Sequence, residues 1–133
     1  MNKKKRDKKI LIVETEAIIA IEIKMRLESK GFEAAFVSTA KNALKLMTGY
    51  KPDLILTAII LGGGMDGIEL ASIIRKEKNI PVIYLTALDY MKSDPRLLET
   101  QPVGILGKPF SENDLFEMIN NALSNIHNTT NNF

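Results

Sequence analysis

Apolar residues in this chain fall into two alternating patterns, short unbroken runs and longer stretches repeating every three or four positions. Residues 9–14 (KILIVE) hold a short continuous apolar run, Ile10 to Val13, between Lys9 and Glu14, as expected of a strand buried on both faces of a parallel sheet. Residues 16–30 follow with Ile19, Ile23 and Leu27 at four-residue spacing, and Gly31 stands where a helix C′ glycine would stop them. Glu33–Val37 is a second, shorter strand. Ser38 or Thr39 caps a helix running to about Thr48, with Ala40, Ala43, Leu44 and Met47 on one face and Gly49 at its end. A third apolar run covers 53–59 (DLILTAI) behind Pro52. Asp66 then caps a helix carrying Ile68, Leu70, Ala71 and Ile74 to about Lys76.

The second half is less regular. Residues 81–85 (PVIYL) form the fourth strand. Pro95 breaks any single helix over 87–100, so Ser93 or Asp94 is expected to cap a short one starting at the proline. Residues 103–107 are a weak fifth strand. Ser111, with Asp114 three positions on, starts a last helix directing Leu115, Met118, Ile119 and Leu123 inward. Residues 125–133 are polar, asparagine-rich and expected to fray. Five strands alternating with five helices predict an α/β domain, a parallel sheet with right-handed crossovers and helices on both faces. Sites in such sheets lie beyond the carboxyl ends of the strands, here at 14–16, 57–61, 86–87 and 108–109.

Composition narrows the chemistry. A length of 133 residues, 45% hydrophobic and 26% charged, suits one globular domain over 9–124 between a basic leader (1–8) and the polar tail. With no cysteine, disulfides, thiol catalysis and thiolate metal sites are excluded. A single histidine, His127 in the tail, argues against a histidine-rich zinc site. No apolar run approaches the ~20 residues of a membrane span, and no secretory signal is read, so the expected location is cytoplasmic. The net charge of +2 is unevenly spread. Lys3, Lys4, Lys5, Arg6, Lys8 and Lys9 are six of the 18 basic residues and Asp7 one of the 16 acids, leaving 12 basic against 15 acidic residues elsewhere. No aromatic interleaves with these lysines, so they read as a solvated leader, not a nucleic-acid or membrane contact.

Four strand ends, in order, read ILIVETE, PDLILTAIILGGGMDGIEL, IPVIYLTA and GILGKPF. Over residues 9–124 the chain thereby resembles the response-regulator receiver domains of two-component signalling. Members show an acidic pair after strand one, an acceptor aspartate ending strand three, a Thr or Ser after strand four and Lys-Pro after strand five. The resemblance implies a flavodoxin-like, doubly wound sheet of order 2-1-3-4-5. It implies phosphoryl transfer to a carboxylate, with catalysis carried by positioning and charge neutralisation. Mg2+ would be held by the acidic pair and the acceptor.

Residue by residue, the match is incomplete. Glu14 falls at the first acid and Thr15 at the second, Ala58 at the acceptor, Thr86 at the switch hydroxyl and Lys108 at the lysine. Ile105 falls where relatives carry a mobile aromatic in strand five; Tyr84, one strand away, reads as a core or edge aromatic. Alanine has no nucleophilic atom. Each missing carboxylate also removes several kcal/mol of attraction for a divalent ion, at an effective dielectric of ~20, so Mg2+ is expected weakly at Glu14 or not at all. Lys108 is expected to pair with Glu14, and its bond to Pro109 to be cis.

The expectation is a receiver-type module of a phosphorelay, not an enzyme and without a cofactor. It would act as a pseudo-receiver through phosphorylation-independent contacts with proteins, a histidine kinase or an output protein, and a homodimer is compatible. Contacts would use the face of the fourth helix, fifth strand and fifth helix. Ile18, Ile21 and Met25 offer a second surface on the first helix, although core packing is expected to take up most of them. The alternative is a phosphorylatable regulator in which Ala58 replaces the acceptor aspartate; Thr15 is then unexplained. A flavin or small-ligand site at Gly62–Gly64 finds no support, because the loop has neither dinucleotide-binding nor Walker spacing.

Overall fold

The computed structural model describes residues 8–87 and 94–131. Residues 1–7 of the basic leader, residues 88–93 and the last two positions lie outside them, and with them the leader's reading and part of the expected fourth-helix face. Ten elements alternate: β1 (Lys9–Val13), α1 (Ala17–Ser29), β2 (Glu33–Val37), α2 (Ala40–Tyr50), β3 (Leu54–Ala58), α3 (Gly67–Glu77), β4 (Val82–Thr86), α4 (Pro95–Glu99), β5 (Gly104–Gly107) and α5 (Glu112–Asn131). All strand pairings are parallel and the sheet order is β2-β1-β3-β4-β5, the doubly wound arrangement expected. β1, β3 and β4 are almost wholly buried, as continuous apolar runs between two helical layers must be.

One core layer joins Ile10, Ile12, Leu54, Leu56, Ile83 and Leu85 to α1 and α5. The other joins Leu11, Ile55 and Tyr84 to α2, α3 and Leu97 of α4. Successive strand residues face opposite layers, so each strand supplies both.

Local chemistry sets most boundaries. The Asp66 side chain accepts from the Glu69 N–H at 2.8 Å while Glu69 Oε1 accepts from the Asp66 N–H at 3.2 Å, a reciprocal cap that starts α3. Asp94 caps α4, and Ser111 Oγ accepts from Asp114 N–H at 3.0 Å to start α5. Gly31 takes φ 94° just past α1, which relieves it of a side-chain clash.

Two expectations are corrected. α2 does not stop at Gly49 but runs through it to Tyr50, and Lys51, at φ 53°, terminates the helix. A helical glycine costs only about 1 kcal/mol, whereas the residue before Pro52 is sterically driven out of the helical region. Finally, the core does not take up Ile18, Ile21 and Met25, which are 82%, 45% and 64% exposed. Ala20, Ile23 and Leu27 form the buried stripe of α1, and the other three lie on the opposite side of its turn.

Candidate functional site

At a carboxyl edge of the sheet the chain reverses its direction of strand addition between β1 and β3, and loops leave to opposite faces. The resulting crevice is a cavity of about 190 Å³ lined by Glu14, Thr15, Glu16, Ala58, Ile59, Ile60, Leu85, Thr86, Ala87 and Lys108. Five positions singled out in the sequence, Glu14, Thr15, Ala58, Thr86 and Lys108, thus meet in one place.

The sheet itself positions them. Glu14 extends β1 by donating its N–H to Val37 O at 3.0 Å, and Lys108 extends β5 by donating to Thr86 O at 2.7 Å. These two ladder bonds aim the Glu14 and Lys108 side chains into the crevice from the ends of their strands. Lys108 Nζ donates to Glu14 Oε1, and the Thr15 N–H donates to Oε2 of the same carboxylate at 2.9 Å. Both oxygens of Glu14 are therefore engaged by the protein. β3 ends on Ala58, which is buried and brings no polar side chain. Thr86 ends β4 and is also buried. The Lys108–Pro109 peptide is cis.

α3 closes the floor of the site. Gly67 N–H donates to Ile59 O at 2.7 Å, and a Cβ on Gly67 would lie 2.0 Å from the Ala58 carbonyl oxygen. Only glycine allows the helix to start so close to the end of β3.

Ile105 is not part of the crevice. It lines a separate cavity of about 650 Å³ between β5 and the start of α5, with Val103, Pro109, Phe110, Glu117 and Met118 among its neighbours. Its register partner on β4 is Tyr84, fully buried, whose phenol lies 2.6 Å from Thr100 Oγ1. Burial pushes the Tyr84 phenol above its ordinary pKa. Sequence reasoning missed Ile60, 62% exposed at the crevice mouth; its signal was an isoleucine just beyond the end of strand three, where a loop ordinarily turns polar.

Among the described residues no three His, Cys, Asp or Glu side chains converge in a way that holds an ion. No described helix is long and apolar enough to cross a membrane.

A flavodoxin-like sheet of this order, with a lysine and an acid meeting beyond its strand ends, defines a receiver-type signalling domain. The family model described as response regulator receiver domain matches residues 10–120, and the chain belongs to that family. It is 32% identical over 119 residues to a probable transcriptional regulator, ycf29, of Pyropia yezoensis, covering 87% of this chain and 53% of that one. It is 30% identical over 124 residues to the transcriptional regulatory protein PdtaR of Mycobacterium tuberculosis, covering 92% and 60%. The chain thus spans between about half and three fifths of these relatives. Among solved structures, the N-terminal domain of a response regulator/sensory box/GGDEF three-domain protein from Carboxydothermus hydrogenoformans superposes with a TM-score of 0.86 at 31% identity, covering 92% and 99%. The receiver domain of Francisella response regulator 1452 gives 0.80 at 31%, covering 90% and 98%. Receiver domains are signalling modules that bind Mg2+ and interact with histidine kinases and output domains.

Proposed function

We propose that this chain is a pseudo-receiver, a two-component signalling module that engages partner proteins without being phosphorylated. The observation that carries the reading is Ala58, buried at the end of β3 between Glu14, Thr86 and Lys108, where a receiver places its acceptor aspartate. A methyl group has no lone pair with which to attack a phosphoryl donor. The donor set does not fit Mg2+ either: Thr15 brings no charge, and of the two carboxylates lining the crevice, Glu14 already has Lys108 and the Thr15 N–H on its two oxygens, which leaves the exposed Glu16 alone. Mg2+ requires several hard oxygen ligands in near-octahedral array. No phosphoryl-transfer step is therefore assigned, and the module is not an enzyme in this reading. It works in the cytoplasm on protein partners, a kinase or an output protein, with no role for nucleic acid or membrane. Leu98 on α4 and Val103 before β5, 59% and 36% exposed, supply apolar contact on the α4–β5–α5 face.

The test is intact mass after incubation of the whole chain with Mg2+ and acetyl phosphate. No adduct is expected; a stoichiometric phosphoryl adduct on an aspartate or glutamate overturns the reading. The presence of Thr86 and Lys108 in the crevice favours a second reading, a working regulator whose acceptor alone has been replaced. The two part on one comparison. If only the acceptor is missing, Ala58→Asp suffices to restore the adduct; if the metal site is gone as well, Thr15→Asp is needed beside it.

A further inference from the structure

The Tyr84 phenol points away from the strand-end crevice, toward α4. Thr100, the residue capping the C-terminal end of that helix, donates its hydroxyl to Leu97 O at 2.7 Å. Its single proton being so used, the 2.6 Å contact with Tyr84 is one in which the phenol donates and Thr100 Oγ1 accepts. The Thr100 carbonyl in turn accepts from Arg75 Nη1 of α3 at 3.3 Å. Thr100 is thus a hub joining α4 to β4 through a partly buried bond and to α3 through an exposed one. At the other end of α4, Arg96 reaches Asp66 of α3 at 3.4 Å, an exposed ion pair that contributes little.

A helix of five residues has almost no stability of its own. What fixes it must come from outside. Leu97 supplies one buried anchor and the Tyr84–Thr100 bond another. If α4 moves off the sheet, a fully buried phenol loses its acceptor, and an unsatisfied buried donor is costly. Tyr84 also stands opposite Ile105 in the β4–β5 ladder, so the one ring at this level of the sheet is tied down inside the core.

We infer that Tyr84 is a positioning residue that latches α4 to the sheet through Thr100, setting the placement of α4 independently of the strand-end crevice. The latch holds whether or not the crevice accepts a phosphoryl group, so it stands apart from the pseudo-receiver reading. Its consequence is a fixed α4: the surface built on this helix is presented in one arrangement.

Native-state hydrogen exchange of the whole chain tests this at the amides that α4 protects: Leu97 and Leu98, bonded to the carbonyl of the N-cap Asp94, and Thr100 and Gln101, bonded to the carbonyls of Leu97 and Leu98. Tyr84→Phe removes one oxygen and keeps the ring; Thr100→Val removes the acceptor and keeps the shape. Each is expected to speed exchange at these four amides about tenfold, beyond any change at sheet amides such as Ile55, which report whole-domain opening. The double variant is expected to exchange no faster than Thr100→Val alone, because the two hydroxyls act as one pair. Thr86→Ala is expected to leave the four amides unchanged. Two results overturn the inference: α4 amides that speed up only in step with the sheet in Tyr84→Phe, or an equal acceleration at α4 in Thr86→Ala.

Discussion

Lys108 on the β5–α5 loop donates a hydrogen bond to Oε1 of Glu14 after β1, and the two side chains are only 15% and 1% exposed. A buried pair of this kind is costly to break from one side, because the partner is left charged and desolvated. Glu14→Gln and Lys108→Met are each expected to lower stability by about 3 kcal/mol. Glu14→Gln combined with Lys108→Met is expected to recover most of that loss, since no lone charge remains. Urea denaturation of the four proteins gives the coupling energy, and simple additivity of the two losses would count against the pair.

Mg2+ separates the natural crevice from a rebuilt one. Thr15→Asp with Ala58→Asp would place two new carboxylates beside Glu14, and their mutual repulsion is expected to lower Tm in metal-free buffer. Ligand linkage then reverses the loss: at a hundred times its Kd, Mg2+ contributes about 2.7 kcal/mol to the folded state. The unaltered protein is expected to melt at the same temperature with and without Mg2+. Thermal scans across a Mg2+ titration read both outcomes.

Gly67 has no room for a side chain. Its hypothetical Cβ lies 2.0 Å from the Ala58 carbonyl oxygen, which belongs to backbone and cannot rotate away. Gly67→Ala is expected to cost at least about 2 kcal/mol, despite alanine's better helix propensity, because α3 must shift from the end of β3. Gly49→Ala, in a helix with open space around it, is expected to stabilise by about 0.5–1 kcal/mol. Chemical denaturation of the two variants should give opposite signs.

Tyr50 gives the fold an alkaline limit. Its phenol oxygen is buried with no hydrogen-bond partner among the described residues, and the Lys9 ammonium lies 5.4 Å from its ring centre. Burial, with Glu33 nearby, pushes this phenol up to about 12 from an ordinary value of 10. The folded state therefore holds its proton more tightly than the unfolded chain. This stability is fully present below pH 10 and is lost as pH rises through the window to about 12. Tyr50→Phe is expected to flatten that alkaline decline. At pH 7 it is expected to be neutral or to stabilise by up to about 1 kcal/mol, because an unpaired hydroxyl leaves the interior. Denaturation midpoints at pH 7, 10 and 11.5 decide the matter.

What the sequence determined by itself was whatever depends on near neighbours. Continuous runs such as KILIV became two-sided strands because a strand with no polar face has to be covered on both sides. Asp66 and Ser111 started helices because a cap needs only an oxygen and an N–H three residues away. The end of α2 was legible too, since Pro52 acts on the residue before it, but Gly49 is the more conspicuous residue and drew the boundary early. The residues of the crevice were found by their order along four strand ends and their resemblance to a family pattern, and the rule that sites lie beyond the strand ends gave their meeting place. The pairing of Lys108 with Glu14, 94 positions away, was expected from the family pattern and is present, whereas tertiary structure alone decided that Tyr84 is held by Thr100 and which apolar stripe of α1 faces solvent. Each depends on strand order, register and the docking of one helix on one face of the sheet. Such contacts form between groups far apart in the chain, and the free energy that selects them belongs to the packed whole, not to any local run of residues.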